Sequence, residues 1–164
     1  MDFAAKYMKG RRDDFTKWDD VEGVNGLSDE YETILKSFGV GMGSAAGVTE
    51  VVAVHKNLVS RLTRRARFET FQVFSQAVGK KCGVNRNIRY AWYSGSRDEI
   101  ADILVHGFSN VNADECGRIQ LFPAKYALDG VSASQVGDDG FKHMLLSRVI
   151  LGKMEEVPNC SWFE

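Results

Sequence analysis

Apolar positions along the chain follow a helical spacing in three stretches and gather into short strand-like runs in four others. The first helical stretch opens at Ser28, a hydroxyl suited to capping, followed by Asp29, Glu30 and Tyr31, which put acids in the positive first turn. Ile34, Leu35 and Phe38 supply its apolar face. Gly39, Gly41, Gly43 and Gly47 predict its end, because glycine is costly inside a helix and easy in a turn. Residues 48–55 (VTEVVAVH) are short and β-branched, which predicts a strand. Residues 57–81 predict a long helix instead, with Leu58, Leu62, Ala66, Phe71, Phe74 and Ala77 recurring near the helical period.

The best-formed local unit follows. Residues 88–92 (IRYAW) predict a strand and residues 93–96 a turn of small residues. Ser96 with Glu99 then makes a capping box that opens a helix over residues 97–106, with Ile100, Ile103 and Leu104 inward and Gly107 as the stop. Residues 119–122 (IQLF) predict a short strand ended by Pro123, residues 129–140 a polar surface loop, and residues 141–151 (FKHMLLSRVIL) a long strand. The first 27 residues mix charges and glycines without a sustained period and predict a loosely ordered leader, leaving residues 28–164 as the domain. Strands dominate the C-terminal half, so the fold class is α+β.

Composition narrows the function without naming it. The chain of 164 residues has a formal net charge of −1, with no global basic field of the kind that non-specific nucleic-acid or membrane binding needs. Arg61, Arg64, Arg65 and Arg67 cluster on the long helix, but Glu69 beside them favours a solvated face over a nucleic-acid patch. Cys82, Cys116 and Cys160 lack CxxC spacing and are odd in number, which fits a reducing compartment rather than a disulfide framework. The start lacks the apolar core of a secretory signal, and no stretch approaches the roughly 20 apolar residues of a membrane span. His55, His106 and His143 have no metal-ligand spacing, and neither GxGxxG nor GxxxxGK[ST] is present.

Three segments nevertheless point to a family. IRYAWYSGSRDEIADILVHGF (residues 88–108), CGRIQLFPA (116–124) and FKHMLLSRVILGKME (141–155) occur in the order and spacing of the poly(ADP-ribose) polymerase catalytic fold. They most resemble the version in plant SRO proteins, named as similar to radical-induced cell death one. The resemblance covers residues 28–156 and implies split antiparallel sheets with flanking helices and an NAD cleft between them. Active members place a histidine after the strand tryptophan, where it holds the adenosine ribose, and then a glycine whose backbone pairs with the nicotinamide carboxamide. In this chain Tyr93 and Ser94 occupy those positions, followed by Gly95. A tyrosine ring there is expected to fill the cleft rather than hold the ribose. The tyrosine that stacks on nicotinamide falls on Gln120, which has no aromatic face.

The family's glutamate sits on a final strand. The tail VPNCSWFE is expected to leave no room for it, and Glu164 has none of its context. Losing one positioned catalytic group commonly costs about 100-fold or more, so three together imply a domain without catalytic residues and without a required cofactor. NAD enters only in the alternative, an active mono-ADP-ribosyltransferase with a rearranged site. The resemblance implies an intracellular, nuclear protein-interaction module in plant stress and developmental regulation. Its partners would be transcription regulators or a second copy of the chain, without membrane or direct nucleic-acid binding. Bland roles stand beside these: Tyr93 covering the sheet, Gln120 facing solvent, Ser96 capping a helix, and Arg148 meeting either a ligand phosphate or a surface ion pair.

Overall fold

The structure is a computed structural model that describes residues 3–8, 21–23, 29–57, 62–83, 86–109, 112–115 and 117–154. Its strands are β1 (Phe3–Met8), β2 (Val21–Gly23), β3 (Val51–Asn57), β4 (Ile88–Gly95), β5 (Phe122–Pro123) and β6 (Phe141–Ile150). Its α-helices are α1 (Asp29–Met42), α2 (Leu62–Lys81), α3 (Arg97–His106) and α4 (Ala127–Ala133). All strand pairs are antiparallel and form one six-stranded sheet in the order β2-β3-β1-β6-β4-β5. The α+β class with flanking helices is as expected. The strands are joined into one sheet because β6 is ten residues long: its first half pairs with β1 (Phe141 to Leu146) and its span from His143 to Ile150 pairs with β4.

The expectation of a loosely ordered leader up to residue 27 is corrected at Phe3–Met8. This segment forms β1 and inserts between β3 and β6, with Phe3 opposite both Lys56 and Leu146. A six-residue strand beside a charge-rich run carries little periodic signal of its own, and its backbone groups are paired by chain far away in sequence. Residues 9–20 and 24–28, including the expected cap Ser28, lie outside the described residues.

Two apolar layers cover the two faces of the sheet. On one face, Val54, Trp92, Met144 and Leu146 pack against Ile34, Phe38 and Met42 of α1 and Ala127 and Val131 of α4. On the other, Tyr93 and Leu145 pack against Ile100, Ile103 and Leu104 of α3. The alternation of side chains along β4 and β6 produces this division. Trp92 pairs with Leu146 toward one layer, and Tyr93 with Leu145 toward the other.

Helix α1 runs through Gly39 and Gly41 and ends where Gly43 takes φ +54°. Gly41 is required by a close approach: a Cβ there would lie 2.6 Å from the Ala124 carbonyl oxygen and 2.8 Å from the Ala127 Cβ. Helix α4 replaces the first part of the surface loop expected over residues 129–140. Its buried Ala127, Gly130 and Val131 have helical spacing, while Gly130 and the polar residues around it disguise the helix as a turn. Helix α2 presents Phe68, Phe71, Ser75 and Val78 inward. The expected inner positions Leu62, Ala66, Phe74 and Ala77 are exposed, because an all-round scatter of apolar residues leaves the phase of the helix to the sheet it meets. Leu58 lies outside the described residues.

Candidate functional site

Strand β4 and the start of α3 build the candidate site. Ser96 caps α3 reciprocally with Glu99: the Ser96 hydroxyl accepts from the Glu99 amide at 3.2 Å, and the Glu99 Oε2 accepts from the Ser96 amide at 3.3 Å. The capping box fixes the angle at which the chain leaves β4. It also holds the Glu99 carboxylate over the end of the strand. A Cβ on Gly95 would fall 2.6 Å from Glu99 Oε2 and 2.9 Å from the Tyr93 ring, so only glycine fits between them.

Tyr93 points away from the α1 layer. Its ring meets Phe108 edge-on, with centroids 5.1 Å apart, and is only 6% exposed. Its hydroxyl donates to Glu99 Oε1, which also accepts from the Asn112 side-chain amide at 3.1 Å. Burial first, and then the hydrogen bond and charge of Glu99, hold the Tyr93 hydroxyl well above its ordinary titration range, with Asn112 opposing weakly. Neighbouring Trp92 is fully buried on the opposite face, edge-on to Phe38 at 5.5 Å, and donates from Nε1 to the Ala124 carbonyl at 3.2 Å. Ser94 returns to that face and donates to the Gly130 carbonyl at 2.5 Å, tying β4 to α4.

A groove of about 660 Å³ runs beside this strand end, lined by Ser94 to Glu99 on one wall and Ala133 to Asp139 on the other. Ser94 and Gly95 therefore border the groove. Tyr93 does not, since its ring is absorbed into the α3 layer instead of projecting into the opening. Gln120 is exposed and lies before β5 rather than on it, because the strand is reduced to Phe122–Pro123, pairing with Trp92 and Ala91. Pro123, expected to end the strand, is tolerated within it because β5 is the edge of the sheet. The structure thus brings Ser94 and Gly95 to one groove and leaves Tyr93 and Gln120 outside it.

The groove is acidic. Among the described residues Asp98, Glu99, Asp138 and Asp139 line it against a single basic side chain, Arg97. Asp139 also accepts from the amide of Phe141 at 3.1 Å and meets the Nε2 of buried His143 at 3.0 Å. The Asp139–His143 pair, Glu99 and Asn112 are residues the sequence does not single out. Glu99 announces itself only as a helix cap, and the acid–histidine spacing across a turn has no motif of its own. Among the described residues no group of three or more His, Cys, Asp or Glu is placed to hold a metal ion. No described helix is long and apolar enough to cross a membrane.

The arrangement of β4, α3 and β6 is found in known proteins. The chain is 38% identical over 135 residues to "Probable inactive poly [ADP-ribose] polymerase SRO2" of Arabidopsis thaliana, covering 77% of this chain and 42% of that protein. It is 38% identical over 119 residues to "Probable inactive poly [ADP-ribose] polymerase SRO5" of the same plant, covering 68% of this chain and 38% of that protein. The PARP domain of Arabidopsis RADICAL-INDUCED CELL DEATH1, known from a crystal structure, superposes with a TM-score of 0.63 at 28% identity, over 76% of this chain and 72% of that one. The chain belongs to the SRO family. No family model matches the sequence. The chain spans about two fifths of the length of these two curated relatives. In this SRO chain the three resembling segments form β4 with α3, the approach to β5, and β6, and Trp92 is the residue on which both the sheet and α1 converge.

Proposed function

We propose that this SRO chain is a non-catalytic form of the ADP-ribosyltransferase fold, working as a protein-interaction module rather than as an NAD-consuming enzyme. The acidic groove carries the reading. A dinucleotide brings an anionic diphosphate, and a wall of four carboxylates with one arginine opposes it electrostatically. Tyr93, at the ribose-binding histidine's position, commits its hydroxyl to Glu99, and Gln120 supplies no ring and does not reach the groove. The names of the Arabidopsis relatives, each a "probable inactive" polymerase, support the same reading. So does the apolar outer face of α2, where Leu62, Val73 and Phe74 are 83%, 66% and 62% exposed. The partners fitting this reading are transcription regulators or a second copy of the chain, in the nucleus, during plant stress and development.

Thermal unfolding with NAD tests the ligand side. A ligand that binds only the folded state stabilises it by about 2.7 kcal/mol at 100 times Kd. The expected result is an unchanged Tm at millimolar NAD and no incorporation of label from labelled NAD. Label transferred to protein, and lost on Tyr93 or Gln120 substitution, would establish the enzyme. Light scattering across a concentration series tests the partner side: a monomer at every concentration removes self-association and leaves a heterologous partner.

A further inference from the structure

A second cavity, remote from the groove, lies between α2 and the opposite end of β4 and β6. It measures about 320 Å³ and is lined by Phe71, Gln72, Ser75, Gln76, Arg86, Ile88 and Arg148. We propose that it binds a phosphomonoester group, gripped between the guanidinium groups of Arg86 and Arg148.

The composition of the lining is the first argument. Among the described residues it holds two arginines, two primary amides and a hydroxyl, all able to donate, and no carboxylate. Each phosphate oxygen accepts, and a planar guanidinium meets two of them at once. Ser75, only 3% exposed, is one of the lining residues. The cavity is roomy for inorganic phosphate and suits a phosphate with the ester group that carries it.

The state of the two arginines is the second. Arg148 leaves β6 opposite Tyr90 and lies over the ring of Phe71 at 4.7 Å, with Phe68 at 5.8 Å. Its Nε is shielded from solvent without a hydrogen-bond partner. Among the described residues neither Arg148 nor Arg86 has a carboxylate partner, and the α2 acid Glu69 is engaged by Arg65 at 3.0 Å. The Arg148 guanidinium is thus shielded from water at Nε and lies against the Phe71 and Phe68 rings, a state an incoming anion relieves. Arg86 lies flat on α2 at Gly79, where a Cβ would come 3.0 Å from its Cγ and 3.2 Å from its Nε. Its backbone carbonyl accepts from the Gly152 amide at 3.3 Å, anchoring it beside the end of β6. Two cations are therefore pre-positioned around one donor-lined cavity in a chain whose net charge is −1.

The experiment is an amide chemical-shift titration of the full chain with inorganic phosphate, with a phosphoserine peptide, and with the same peptide unphosphorylated. Saturable shifts at Ser75, Gln76 and Ile88 with the two phosphate probes, and none with the unphosphorylated peptide, are expected. Arg86→Gln, at an exposed position that leaves the fold intact, should weaken binding about tenfold or more, the usual scale for one charged hydrogen-bonding partner. Arg148→Lys keeps the charge but loses the fork and the ring stack, and should weaken it too. A phosphopeptide binding more tightly than inorganic phosphate assigns the site to a phosphorylated protein residue; equal affinities assign it to a small phosphate. No saturable shift with either probe, or affinities unchanged in Arg86→Gln, overturns the proposal.

Discussion

Tyr93 shows how a single side chain can tie the end of a strand to the helix that follows it. Its hydroxyl closes a small polar network with Glu99, Asn112 and Ser96, and its ring completes the α3 layer. Tyr93→Phe removes the donor to Glu99 and should lower stability by about 1 kcal/mol in a urea titration, the usual net value of one hydrogen bond. The raised pKa of Tyr93 has a pH consequence of definite sign. The unfolded tyrosine ionises near its ordinary value of 10.0 while the folded one keeps its proton, so the unfolded state binds fewer protons above that pH. Stability from this group is complete below pH 10 and declines as pH rises toward the folded value. Alkaline unfolding curves of the native chain should therefore fall more steeply above pH 10 than those of Tyr93→Phe.

Helix α1 offers a matched pair of glycines at the scale of an element. Gly39 has nothing within 4 Å of a prospective Cβ, so Gly39→Ala should stabilise the chain by roughly 0.5–1 kcal/mol through helix propensity alone. A Cβ at Gly41 would lie under 3 Å from the Ala124 carbonyl oxygen and from Ala127. Gly41→Ala should therefore destabilise by about 1–3 kcal/mol despite the same gain in propensity, because α1 must retreat from the backbone leading into α4. Opposite shifts in urea midpoint check the pair. Helix α3 is simpler: Ser96→Ala removes the hydroxyl that accepts from the Glu99 amide and should cost about 1 kcal/mol, while the Glu99 carboxylate keeps its bonds from the backbone amide of residue 96, Tyr93 and Asn112.

At the scale of the whole molecule the decisive pairing is that of β1. Deleting residues 1–8 removes the strand between β3 and β6 and exposes an unpaired edge on each. The truncated chain should lose solubility and unfold at lower urea, while a deletion that left β1 intact would not. The unit around β4 and α3 was legible in the sequence because its signals are local: β-branched and aromatic residues, a capping box within four residues, and a terminal glycine with φ +82°. Chain order alone also carried the family resemblance. What needed the tertiary structure were features set by distant partners. β1 became a strand because β3 and β6 offered hydrogen bonds, α4 a helix because the α1 layer buried Ala127 and Val131, and α2 took its phase from Phe68 and Phe71 meeting Arg148. The same holds for the groove, whose acidic walls come from residues 94–99 and 133–139, and for the Arg86–Arg148 cavity. Sequence determines what each residue can offer and which short segments are self-consistent; only folding decides which distant residues share a surface, because burial and hydrogen bonding are settled by the partners a segment meets.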